Sequence, residues 1–170
     1  MALTMGQQLT TRLLSFFVLF ALVGCDHATK GVAKSELETG GARAVIDGVV
    51  SLRYVENTDV AFNALRFIPE HIRFPGLLVT GALAVVALAL LLFRARAKIG
   101  LPLVALILVT AGAIGNYLDR LFRGYVVDFV HLQYWPVFNV ADVYVTIGYG
   151  LAAWLLFVQR RSLQQSLFSS

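Results

Sequence analysis

Cysteine is almost absent from this sequence: its 170 residues include one, Cys25, which excludes an internal disulfide. The three histidines, His27, His71 and His131, fall in no HExxH or Cys/His pattern, so no metal site is expected. Charge is scarce, at 14% of residues. The balance is basic, with a pI of about 9.5, but no basic stripe or nucleic-acid motif accompanies it. Nucleic acid is therefore set aside as a partner, and the basic excess is read as anchoring and contact with anionic lipid. Repeats, low-complexity tracts and flexible linkers are missing too, which leaves one domain over residues 1–170. What fills the chain instead is apolar, with 58% hydrophobic residues and a mean hydropathy of +0.75, outside the range of soluble domains.

The apolar residues come in runs. Leu77 to Phe93 and Gly100 to Leu118 contain no charged residue, and each is long enough to cross a bilayer. Val137 to Val158 is a third run, interrupted near its start by Asn139 and Asp142. The first run, Leu13 to Gly24, is short, but extended helically from Leu9 to Lys30 it also spans. It ends in Leu22-Val23-Gly24-Cys25, which is similar to the lipobox of an exported lipoprotein, so charge must decide whether it is kept. Arg12, the cluster Arg94/Arg96/Lys98 and the pair Arg160-Arg161 fall on one side of a four-span arrangement. All ten acidic residues fall on the other side or in helix ends opening towards it. This segregation favours a retained first span and both termini in the cytoplasm. The expected fold is a mainly α membrane protein, a four-transmembrane-helix bundle with spans at about 9–31, 75–93, 100–118 and 137–158.

The extracytoplasmic segment, about residues 35–74, is too long for a turn and must carry structure. Alternating residues around Asp47-Gly48 in "ARAVIDGVVSLRYVEN" predict a β-hairpin, "FIPEHIRFP" predicts a short interfacial helix, and "NTDVAFNAL" between them reads as a loop. The result is a small extracytoplasmic β-rich cradle above the bundle.

Polar residues at membrane depth are costly and mark function. Asp26 and Lys30 are one helical turn apart. Asn116, Arg120 and Arg123 share a face at the end of the third span, with Asp119 within reach. Asn139 and Asp142 open the fourth, and Asp128 lies between apolar stretches in "YVVDFV". All fall on the same side of the membrane, where a bundle could bring Asp128 and Asp142 together. Two close carboxylates in a low-dielectric site share a proton, so one can activate a water while the other donates to a carbonyl. A capping or interfacial role for either aspartate is the bland alternative. A small transporter or ion-conducting bundle using the same carboxylates is the competing function, although the second span carries no charge to serve it.

Four ordered motifs then stand out: "DHATK" (Asp26 to Lys30), "NTDVAF" (Asn57 to Phe62), "GNYLDRLFRGYVVDF" (Gly115 to Phe129) and "FNVAD" (Phe138 to Asp142). In these the chain resembles the lipoprotein signal peptidases (signal peptidase II), bacterial integral-membrane aspartic proteases. The resemblance implies Asp128 and Asp142 as the catalytic dyad. It implies Asp26, Lys30, Asn57, Asn116, Arg120 and Asn139 as residues that support the site or contact substrate. The implied reaction is cleavage of diacylglyceryl-modified prolipoproteins before the lipidated cysteine at the inner membrane, without cofactor, inhibited by globomycin; nothing requires more than a monomer. His27, Ala111 and Asp59-Val60 depart from the family pattern, which usually has Gln, Gly and Gly-Ala there.

Overall fold

The computed structural model describes residues 4–58, 67–95 and 99–168, the last eight by backbone alone. In chain order the elements are α1 (Met5–Leu37), β1 (Arg43–Ile46), β2 (Val50–Asn57), α2 (Glu70–Arg94), α3 (Leu101–Arg123), β3 (Val126–Leu132) and α4 (Val140–Phe168). All four helices are long and apolar enough to cross a membrane. Together with the small sheet they make the chain a mainly helical membrane protein.

Local signals account for the boundaries. Thr4 begins α1 with a capping box, accepting from the Gln7 N–H while the Gln7 side chain accepts from the Thr4 N–H. The helix then passes through Gly24 and Cys25 without a break, so the lipobox-like stretch is mid-helix and Cys25 is exposed on its surface. Gly124 ends α3 in the left-handed conformation, at φ 83, and turns the chain directly into β3. The hairpin predicted around Asp47-Gly48 is present, with Gly48 at φ 70 and the Val49 N–H donating to the Ile46 carbonyl at 3.0 Å.

Two features differ from expectation. The short interfacial helix is not separate, because residues from Glu70 onward form the first turns of α2 itself. Pro75 withdraws one helical N–H there, yet the helix continues through it, the proline sitting within its first two turns. The second difference is β3, which completes a three-stranded antiparallel sheet in the order β1-β2-β3. The predicted loop at Asp59 and Val60 lies outside the described residues.

The molecule has two apolar centres. Leu19, Leu92, Leu103, Ile107 and Ala111 join α1, α2 and α3. Ala33, Leu37, Val127 and Phe129 seat the sheet on the far end of α1. Arg12 stacks over the Phe93 ring at 5.2 Å, which marks the end of the bundle opposite the sheet. Between the two centres α3 and α4 approach closely, because a side chain at Gly112 would collide with the Ala141 carbonyl and Val145. A β-carbon on Gly115 would sit 2.5 Å from Asp26 Oδ2. Gly115→Ala is therefore expected to destabilise the protein by about 1–3 kcal/mol and to lower activity. A thermal melt in detergent alongside a cleavage assay checks this, and an unchanged Tm would contradict the packing described.

Candidate active site

Four elements meet at the sheet end of the bundle, each contributing one part. β3 carries Asp128, held opposite Val55 of β2 just beyond a bulge in that strand. Asn57, the last residue of β2, donates Nδ2 to Asp128 Oδ2 at 2.8 Å. Asn139 is the N-cap of α4 and Asp142 its third residue. The Asp142 N–H donates to Asn139 Oδ1 at 3.0 Å, and the Asn139 N–H donates to Asp142 Oδ2 at 3.1 Å. That reciprocal pair is a capping box. Capping and placement in the site are thus compatible, since the cap is what fixes the direction of the Asp142 carboxylate.

The two aspartates are joined through amides. Asn139 Nδ2 donates to Asp128 Oδ1 at 2.6 Å and to Asn116 Oδ1 at 3.1 Å. Asn116 Nδ2 donates to Asp142 Oδ1 at 2.8 Å. All four carboxylate oxygens therefore accept an N–H. Asp128 and Asn139 are almost completely buried, at 2% and 0% exposed. Burial pushes the Asp128 carboxyl up to about 6; the Asn57 amide opposes the rise, the nearby Asp142 adds to it, and the Asn139 amide and Lys30 oppose it.

A pH effect of definite sign results. Asp128 binds its proton more tightly folded than unfolded, where the value is 3.8, so its protonation favours the fold below 3.8 and that contribution is lost as pH rises through about 6. In the variant Asp128→Asn the amide cannot ionise, and this contribution is absent at every pH. The Tm of that variant minus the Tm of the parent is expected to increase from pH 4 to pH 7, and a difference independent of pH would contradict the burial argument.

Behind the aspartates is a fully buried charge cluster. Lys30 Nζ contacts Asp26 Oδ2 at 2.7 Å, Asp119 Oδ2 at 2.9 Å and Asn116 Oδ1 at 3.0 Å. Asp26 Oδ1 accepts from the Ala141 N–H at 2.9 Å, tying α1 to the start of α4. Asp119 Oδ2 also accepts from the Val127 N–H at 3.2 Å, next to Asp128, and Oδ1 pairs with Arg123 at 2.7 Å. From spacing alone Asp119 reads only as a partner for Arg120 or Arg123. Its hold on β3 is a supporting role that the i, i+4 spacing to Arg123 does not show. Arg120 turns the other way, donating Nη1 to the Asn116 carbonyl at 3.2 Å and lining a cleft with both aspartates.

Two clefts converge on Asp128 and Asp142. The larger, about 900 Å³, runs between β2, the Trp135 to Phe138 segment and α4, and includes Asn57 and Thr146. The smaller, about 610 Å³, opens between α2 and α3 along Leu77, Gly81, Ala84 and Gly112 to Arg120. Beyond Asp26 and Asn116 the interior is the apolar centre of Leu19, Leu92, Leu103, Ile107 and Ala111. Ser15 and Thr110, buried nearby, are bonded to carbonyls of their own helices.

All eight residues expected from the sequence thus lie in one hydrogen-bonded assembly or line its clefts. Fold and site together define a polytopic membrane protein with a carboxylate pair, Asp128 buried and Asp142 half-buried, at one end of its bundle. The family model for signal peptidase (SPase) II matches residues 18–158. A lipoprotein signal peptidase of Fusobacterium nucleatum subsp. nucleatum is 38% identical over 78% of this chain and 79% of its own. One of Symbiobacterium thermophilum is 38% identical over 82% and 91%. A solved bacterial membrane enzyme superposes with a TM-score of 0.76 at 25% identity, covering 86% of this chain and 89% of its own. The chain belongs to the signal peptidase II family: it is a multi-pass bacterial membrane protease of the class that removes signal peptides from prolipoproteins.

Proposed function

We propose that the protein is an aspartic endopeptidase that cuts diacylglyceryl-modified prolipoproteins immediately before the lipidated cysteine, with Asp128 and Asp142 as its dyad. The observation that carries this reading is the pair of aspartates bridged by Asn139 and Asn116 and opening on both clefts. Two clefts meeting at one reactive pair suit a substrate with an arm on each side of the scissile bond. Asp142 takes a proton from water as the water oxygen attacks the carbonyl carbon. Asp128, whose burial favours its protonated form, gives its proton to the carbonyl oxygen. The diol that forms collapses as Asp142 passes its proton to the leaving nitrogen and a diol hydroxyl returns one to Asp128. Both groups end as they began, and no covalent intermediate is needed.

Asn57, Asn116 and Asn139 orient the carboxylates, while Asp26 and Lys30 hold the helices that carry them. Arg120 faces the same cleft as the dyad and is suited to steer the carbonyl. The site faces the extracytoplasmic surface, with both termini cytoplasmic, since the basic residues Arg12 and Arg94 mark the opposite end of the bundle. The protein works as a monomer with lipid around it and is inhibited by globomycin.

The substrate class is tested with purified protein in lipid and two prolipoproteins, one diacylglyceryl-modified and one carrying Cys→Ser at the lipidation position. Cleavage of the first at least ~10²-fold faster is expected, as binding energy from the lipid is realised at the reacting centre. Equal rates would overturn the assignment.

A further inference from the structure

Asn116 is the hinge of the assembly: its oxygen must accept while its nitrogen donates to Asp142. An amide in a polar pocket can be rotated to exchange these ends, so something must fix its sense. Asn139 does not face this ambiguity, because the helix-capping N–H of Asp142 occupies its oxygen and commits its nitrogen to Asp128. The Asn116 side chain is bonded to other side chains, with no backbone N–H of the described residues to fix it. Its oxygen is instead 3.0 Å from Lys30 Nζ, a group that only donates.

We infer that Lys30 is a positioning residue whose ammonium sets the orientation of the Asn116 amide and, through it, the direction of both carboxylates. The geometry leaves Lys30 no other freedom. Its ammonium lies against the Asp26 and Asp119 carboxylates and donates to Asn116 Oδ1, and the side chain is 0% exposed, so it touches neither cleft. With the Asn116 oxygen turned to Lys30, its two lone pairs take Lys30 and Asn139 Nδ2, and its nitrogen is left for Asp142 Oδ1. A reversed amide would put N–H groups against the ammonium and against Asn139 Nδ2, and would face the Asp142 carboxylate with an oxygen. Lys30 thus acts on the reaction from a full residue away. This inference rests on the reading of Asp128 and Asp142 as the dyad.

Lys30→Met alone would leave the buried Asp26 carboxylate without its cation, so the comparison neutralises Asp26 as well. Asp26→Asn keeps the Lys30 ammonium. Lys30→Met/Asp26→Asn removes it together with one negative charge and leaves Asp119 paired with Arg123 and the Val127 N–H. Relative to Asp26→Asn, the double variant is expected to lose about a hundredfold in kcat with KM within about threefold, because the dyad is misdirected but the clefts are untouched. Its Tm is expected to be no lower than the parent's, since the buried Lys30–Asp26 pair has been replaced by neutral groups. A kcat within about threefold of Asp26→Asn would overturn the inference, since general acid–base groups so placed would not need Lys30.

Neutron diffraction from the deuterated parent needs no variant and decides the question if either variant fails to fold. Deuterons on the Asn116 atom facing Asp142 are expected, and deuterons on the atom facing Lys30 would refute the idea. The outcomes separate this inference from the dyad itself. If Asp128→Asn retains cleavage, the dyad reading fails whatever the amide does; if Asp128→Asn is inactive but the Lys30 double variant is not, only the positioning role fails.

Discussion

Asp128→Asn and Asp142→Asn are each expected to cut prolipoprotein at least ~10³-fold more slowly than the parent while remaining folded, because each removes one of two groups that exchange protons with the same water and carbonyl. The substitutions conserve volume, and both side chains keep an oxygen for one of the N–H donors now aimed at them. The double variant is expected to be no worse than either single one, since two groups that act as a unit do not add. A gel-shift assay of prolipoprotein processing measures the rates, and a thermal melt shows whether the fold is kept. Retention of more than about a hundredth of the parent rate by either variant would remove that aspartate from the chemistry, as such catalysis is worth ~10²-fold or more.

Asn139 is the second position where a large effect is expected, and there capping and orientation can be separated. Asn139→Ala loses the bond to the Asp142 N–H and also the amide that holds Asp128 Oδ1 at 2.6 Å. Asn139→Ser keeps an N-cap oxygen and loses only the amide donor. Both variants are expected to lose about a hundredfold in kcat through misdirection of Asp128. Only the alanine variant is expected to lose about 1 kcal/mol of stability with the cap. Rates and melts of the two proteins side by side check this. A serine variant as active as the parent would show that Asn139 serves the helix and not the dyad.

Much of this architecture was legible in the sequence because the signals are local. Uninterrupted runs such as Leu77 to Phe93 announce a span, Asp47-Gly48 between alternating strands announces a hairpin, and the four-residue spacing of Asp26 and Lys30 places them on one helical face. The ordered motifs contain the eight residues that the fold brings together in one assembly or along its clefts. Less legible was anything depending on partners distant in the chain. "VVDFVHL" is a strand because β2 pairs with it, and the Asn57 that bonds Asp128 is 71 positions away. The threefold use of Lys30 is invisible for the same reason: Asn116 and Asp119 reach it only once α3 has packed on α1. The boundary at "FIPEHIRFP" was misplaced for a different reason. A proline usually marks a helix start or stop, but α2 runs on through Pro75 and forgoes one backbone bond there.

The central claim is direct hydrolysis by a carboxylate pair at the bond before the lipidated cysteine. Mass spectrometry of the products formed in H2-18O with hydroxylamine present tests it most directly. A signal peptide ending at the residue before that cysteine, carrying one 18O in its new carboxylate and no hydroxamate, is the expected result. Cleavage at another bond, or a hydroxamate formed by trapping an acyl-enzyme, would contradict it.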